Sequence, residues 1–339
     1  MKRVGLITHP SSLEHEMPPG HPERADRIRA IGEHLERTGL AAELMRHSPE
    51  RASRELVELA HDASLIRMLD DLDEQGGGRI DLDTSMGPHS FDATLRSTQG
   101  AVDAVRKILD DEWDAAFSCT RPPGHHARER VPMGFCLINH VAVAARWAIA
   151  HGGVERVAVV DFDAHHGNGT QEIFWSDPDV LYVSLHQYPW YPGTGDATER
   201  GEGDGYGYTL NVPLPAETAE DAYARAIGEL IEPAIHSFDP DLVLVSAGFD
   251  AHQADPLCMM RLSAGGFFRL TRRIAGWGRG PMCVLEGGYD LYGLSRSSAA
   301  LVSALLGLDE PAGVEAAELA PLAGTPEAQA WVERALDLR

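Results

Sequence analysis

The chain has 339 residues, 43% hydrophobic, with 34 glycines and 21 prolines, enough for one large or two ordinary globular domains. No apolar run approaches the roughly 20 residues of a membrane span, and the first nine residues hold too short an apolar run for a signal peptide, so a cytoplasmic protein without a membrane partner is expected. A net charge of −23, with Lys2 and Lys107 the only lysines among 29 basic residues, argues against direct nucleic-acid binding; it would favour cationic substrates, although solubility alone accounts for it equally well.

In chain order, apolar β-type runs at 3–8, 114–119, 156–161, 180–185, 207–212, 241–247 and 282–285 alternate with helical patterns at 22–38, 90–109, 138–150, 219–236, 264–274 and 291–306. Pro22 with Glu23 beside it reads as a helix opening. Near-continuous apolar strands such as Leu242-Val-Leu-Val245 need cover on both faces, so the expected fold class is α/β: one domain with an open, mostly parallel sheet between helices. Residues 1–306 are expected to form that domain, with 307–339 as a peripheral segment. Cys119, Cys136, Cys258 and Cys283 show no paired spacing and read as small buried hydrophobes.

The chemistry lies where strands end. After the run 156–161 comes Asp161-Phe-Asp-Ala-His-His-Gly-Asn-Gly-Thr170, two carboxylates and two imidazoles that suit a divalent ion. A plain polar loop capping the next helix through Asn168 or Thr170 is the alternative for this segment alone. Three more strand candidates are followed by Arg121-Pro-Pro-Gly-His-His126, Gly248-Phe-Asp250 and Glu286-Gly-Gly-Tyr289. Each is weak by itself, since a Gly-Gly-Tyr turn or a lone Asp after a strand is commonplace. In a parallel sheet, however, all four would converge on the rim where open α/β sheets bind ligands.

Together with Gly134-Phe-Cys136, Ser184-Leu-His186, Tyr191-Pro-Gly-Thr-Gly-Asp196 and Asn211-Val-Pro213, these motifs resemble the histone deacetylase family from about the first strand to Leu306. Asn168 and the form of the 286–289 motif look like its class II and bacterial branch. The resemblance implies an arginase/deacetylase-like fold and a zinc-dependent amidohydrolase that removes acetyl or other acyl groups from lysine side chains. It implies one catalytic Zn2+ on Asp163, His165 and Asp250, His126 as general base and acid oriented by Asn168, His125 oriented by Asp161, and Tyr289 as oxyanion donor. It also implies structural K+: one ion at Asp161, Asp163, His165, Ser184 and Leu185, a second at Phe174, Asp177, Val180 and Tyr208. Phe135 and Tyr191 match the aromatic walls of the substrate channel, Gly134 a carbonyl that accepts the substrate N–H, and Asp83 a rim aspartate. Tyr191 stands where most relatives carry Phe.

Substrate class turns on Leu257, which occupies a position where polyamine-selective relatives place a glutamate. Acyl-lysine in a peptide or protein is therefore the expected substrate; acetylated polyamine is the runner-up, which Glu14 and Glu16 near the pocket mouth would suit. A binuclear arginase-like site is disfavoured because Gly167 and His252 stand where second-metal carboxylates would be needed. A non-catalytic zinc-bound acyl-lysine binding module would show a damaged base or oxyanion donor, and His125, His126 and Tyr289 are all present. Assembly into a homo-oligomer is left open.

Overall fold

The computed structural model describes residues 2–338. Its strands are β1 Val4–Ile7, β2 Leu44–His47, β3 Gly78–Arg79, β4 Ser85–Met86, β5 Ala115–Ser118, β6 Val157–Asp161, β7 Val180–Gln187, β8 Thr209–Leu214, β9 Leu242–Ala247 and β10 Arg279–Leu285. Eight form one sheet in the order β2-β1-β5-β10-β9-β6-β7-β8. Every ladder in it is parallel. β3 and β4 form a separate antiparallel pair.

Side chains alternate between the faces of a strand, and here both faces are dry. Ala158, Val160, Val243 and Val245 enter one core with Ile31 and Leu35 of helix Asp26–Arg37, Phe267 and Leu270 of helix Ala264–Ile274, and Leu301 and Leu305 of helix Leu291–Leu306. Their neighbours Val157, Val159, Leu242 and Leu244 enter the other, with Val102 and Val105 of helix Ser90–Leu109 and Val141 and Ala145 of helix His140–His151. No helix of the described residues is long and apolar enough to cross a membrane.

The expected fold class holds, with local differences. The 22–38 helix starts only at Asp26, because Glu23 turns inward: its backbone N–H bonds to His21 Nδ1 and its carboxylate meets Arg121. The 207–212 run is displaced to β8, Thr209–Leu214. β2 has no counterpart among the expected elements: its pattern Leu-Met-Arg-His carries one buried residue, as an edge strand allows. Helix Ala63–Glu74, capped by Asp62, was likewise not expected. In the segment after Leu306, helix Pro326–Asp337 buries Ala328, Val332 and Ala335 in the core shared with β8.

Candidate active site

The four chemistry-bearing segments follow β5, β10, β9 and β6, which are four consecutive strands of the sheet. Parallel pairing puts all their carboxyl ends on one edge, so Arg121–His126, Glu286–Tyr289, Gly248–Asp250 and Asp161–Asn168 meet there. A cleft of about 740 Å³ at the opposite end, lined by Arg156, Asp179, Tyr208 and Asp239, holds none of these groups.

His165 Nδ1 lies 2.9 Å from Asp250 Oδ2 and 3.2 Å from Asp163 Oδ1. A tetrahedral ion with bonds of about 2.0–2.1 Å separates its ligand atoms by roughly 3.3 Å, and both distances lie close to that spacing. The carboxylates are held from behind. The backbone N–H groups of His165 and Gly287 donate to Asp163 at 2.8 and 2.7 Å, and Ala164 N–H donates to Asp250 at 2.7 Å. A Cβ on Gly248 would stand 2.0 Å from Asp163 Oδ2, so only glycine lets the chain leaving β9 pass this close. Burial and the adjacent Asp163 charge push the Asp250 carboxyl up to about 7. Against the same burial, His125 and His165 hold Asp163 well below the usual carboxylate range. Two buried carboxylates sharing one imidazole are a donor set that a bound dication would relieve. Cys258 joins them: the ligand atoms of His165, Asp250 and Cys258 lie within 4.8 Å of one another, with Cys258 Sγ 3.5 Å from His165 Nε2. Burial pushes this thiol up to about 12, so by itself it is a neutral neighbour.

His125 and His126 sit side by side, ring centroids 4.0 Å apart, and their surroundings drive them in opposite directions. Against burial, the Asp161 and Asp163 carboxylates raise His125 to about 10, and its Nδ1 lies 3.0 Å from Asp161 Oδ2. Burial, then the charges of His125 and His165, holds His126 well below its ordinary value. His126 Nδ1 is 2.8 Å from Asn168 Oδ1; an amide oxygen only accepts, so Nδ1 carries the proton and Nε2 keeps its lone pair. A cationic imidazole thus stands beside a neutral one whose free nitrogen is basic.

Phe135 and Tyr191 line the approach: Phe135 packs edge-on against Tyr289 at 5.9 Å, and Tyr191 against His126 at 5.2 Å and His165 at 6.2 Å. Gly134 precedes Phe135 and its carbonyl accepts from Cys136 Sγ at 3.3 Å. Asp83 is joined to Phe135 through His21, whose Nε2 is 3.1 Å from Asp83 O and whose ring packs on Phe135 at 4.6 Å. Leu257 follows the Asp250 loop, and its carbonyl accepts from Trp190 Nε1 at 3.1 Å. Of the residues named for monovalent ions, Ser184 and Leu185 lie on β7, Ser184 in register with Asp161, and Ser184 Oγ contacts His186 Nδ1 at 2.9 Å. In the second group Asp177 N–H donates to Phe174 O at 3.1 Å, the Asp177 carboxylate pairs with Arg146, and Tyr208 O accepts from Tyr182 N–H beyond Val180.

Several groups to which the sequence assigned no role support this site. Arg27 is fully buried and spans from Glu23 to the backbone carbonyls of Glu286 and Gly288, with its guanidinium 5.0 Å from the Tyr289 ring centroid. The Glu286 carboxylate, buried, accepts from the N–H groups of Gly124 and His125 at 2.7 and 3.1 Å and so ties the histidine turn to the tyrosine turn. His166 bridges Thr194 Oγ1 at 2.8 Å and Gln171 Oε1 at 3.0 Å, linking the Tyr191 loop to helix Asn168–Ile173. The periodic spacing of Arg27 within its helix was the available sequence signal: it falls on the apolar face, at i−4 from Ile31.

Comparisons with known proteins bear on the family of this chain. A family model described as the histone deacetylase domain matches residues 21–305. A probable deacetylase of Archaeoglobus fulgidus is 38% identical over 314 residues, covering 90% of this chain and 87% of the relative. A histone deacetylase-like amidohydrolase of Pseudomonas aeruginosa is 40% identical over 279 residues, 80% of this chain and 73% of that protein. The crystal structure of the HDA15 HD domain superposes with a TM-score of 0.92 at 32% identity, covering 99% of this chain and 94% of that one. The chain belongs to the histone deacetylase family.

Proposed function

We propose that this protein is a cytoplasmic, zinc-dependent amidohydrolase that removes acetyl or longer acyl groups from lysine side chains of a peptide or protein. The observation that carries the reading is the meeting of the Asp163–His165–Asp250 triangle, the oppositely tuned His125–His126 pair and Tyr289 at one strand edge. Asp163, His165 and Asp250 would hold one Zn2+, which when bound polarises an amide carbonyl and makes water more acidic. His126 takes a proton from the attacking water at Nε2 and returns it to the departing lysine nitrogen as the C–N bond breaks. His125, kept cationic by Asp161, offsets the charge that builds up on the carbonyl oxygen. Burial keeps the Tyr289 phenol protonated, so it donates to the same oxygen. Phe135 and Tyr191 grip the methylene chain, Gly134 O receives the amide N–H, and Asp83 and Leu257 border the mouth. Asp161, Ser184 and Leu185 with the Asp163 and His165 carbonyls, and Phe174, Asp177, Val180 and Tyr208, are the proposed structural K+ sites.

The test is a panel of acetyl-lysine peptides, longer acyl-lysine peptides and acetylated polyamines, run on protein of measured metal content before and after chelation. Release of carboxylate from acyl-lysine, lost with the metal and restored by Zn2+, is expected. Faster turnover of N8-acetylspermidine would reverse the substrate order. Zinc bound without any turnover would indicate a binding module.

A further inference from the structure

The loop after β9 carries Asp250 and then Asp255, whose carboxylate accepts the N–H groups of Leu257, Tyr289 and Asp290 at 2.9, 2.7 and 3.3 Å. One stretch therefore supports both the metal triangle and the oxyanion donor. His252 is its hub. Its backbone closes the turn, His252 N to Phe249 O at 3.1 Å and Asp255 N to His252 O at 2.9 Å. Its ring is 1% exposed as a residue; Nδ1 accepts Ala254 N–H at 3.2 Å, so Nε2 bears the proton. That proton points to Glu318 Oε2, 3.0 Å away. Glu318 lies in the short helix Ala316–Leu319, beyond the 21–305 stretch that matches the family.

Glu318 is itself held on three sides. Oε2 also accepts Ala264 N–H at 3.2 Å, Oε1 faces Gln253 Nε2 at 3.4 Å, and Leu319 O accepts from Arg269 Nη1 at 3.0 Å. A Cβ on Gly265 would come within 2.8 Å of the carbonyls of Glu318 and Leu319, so the tail segment is docked against helix Ala264–Ile274 with no slack. Leaving a buried His N–H and a backbone N–H without their acceptor would cost enough to let the 250–255 turn rearrange.

We infer that Glu318, from the tail segment, is a positioning residue for the catalytic centre: through His252 it holds the loop that aims Asp250 at the metal and Asp255 at the Tyr289 backbone. The inference rests on the zinc site proposed above and deepens it. Its test reads metal retention, which needs no substrate. The rate of zinc transfer from the intact protein to a chelator is measured, along with the visible spectrum of the Co2+-substituted form. Glu318→Ala is expected to release zinc about tenfold faster and to alter the Co2+ bands, as loss of a supporting partner does around metal ligands. Glu318→Gln, whose amide oxygen still accepts from His252, is expected to stay near wild type. Arg225→Ala, which frees the last helix at Gln329 O, is the control for tail loosening elsewhere and is expected to leave release unchanged. If alanine prevents folding, Glu318→Asp, one methylene too short to reach His252, carries the same expectation. Release from Glu318→Ala at the wild-type rate, or equal acceleration in Arg225→Ala, overturns the inference. A wild-type protein that holds no zinc overturns the zinc site itself.

Discussion

Replacing Tyr289 by Phe isolates one hydroxyl. The ring packs on Phe135 at 5.9 Å, lies under the Arg27 guanidinium at 5.0 Å, and its backbone N–H is held by Asp255 at 2.7 Å. None of these contacts uses the phenolic oxygen, so phenylalanine keeps all three and the fold, the metal content and the channel wall are expected to be unchanged. What is lost is a donor that burial keeps protonated and that the proposed mechanism directs to the developing oxyanion. Removal of one such donor costs about 10²–10³ in turnover, or roughly 3–4 kcal/mol of transition-state stabilisation. Because that bond strengthens only as negative charge develops, the loss should fall on kcat and leave KM nearly alone. The assay is steady-state release of carboxylate from an acetyl-lysine peptide, with zinc quantified and the melting temperature recorded on the same preparation. Turnover within a few-fold of wild type, at equal zinc content, would refute the assignment of Tyr289.

Asp250→Ala removes one of the three proposed ligands and should empty the site; stoichiometric zinc in the purified variant would mean that the ligand set is wrong. Arg27→Ala leaves Glu23 paired with Arg121 but strips the buried carbonyls of Glu286 and Gly288 of their donor, so urea unfolding should show a loss of about 1–3 kcal/mol for each carbonyl left unpaired. Equal stability would show that these two bonds contribute nothing. Burial pushes His61 and His140 down to about 4, against about 6.5 when unfolded, so the unfolded chain binds more protons between those values. The stability they provide is complete above pH 6.5 and falls as the pH drops through the window, by about 3 kcal/mol each near pH 4. Denaturation midpoints at pH 7 and pH 5 measure this, and a His61→Gln variant with an undiminished slope would remove His61 from the account.

The strands of the sheet were readable because a doubly covered parallel strand is apolar over a near-continuous run, as in Leu242–Val245 of β9. β2 was not, since an edge strand with one buried residue leaves no such run. The start of the first long helix was placed four residues early because Pro22 and Glu23 have the local chemistry of a helix opening. Glu23 instead follows the demand of a buried arginine 98 residues away, which no window of sequence contains.

By itself the sequence determined the class of the fold, the strand ends that carry reactive side chains, and the residue types offered there. These are local properties, written in hydrophobic period and in the few residues after each strand. Only the tertiary structure decided that β5, β10, β9 and β6 are neighbours, which turns four weak motifs into one site. It alone paired Arg27 with Gly288 across 261 positions and His252 with Glu318 across 66. The physical reason is that a buried polar group must find a partner wherever packing brings one, and that search is settled by the whole core at once.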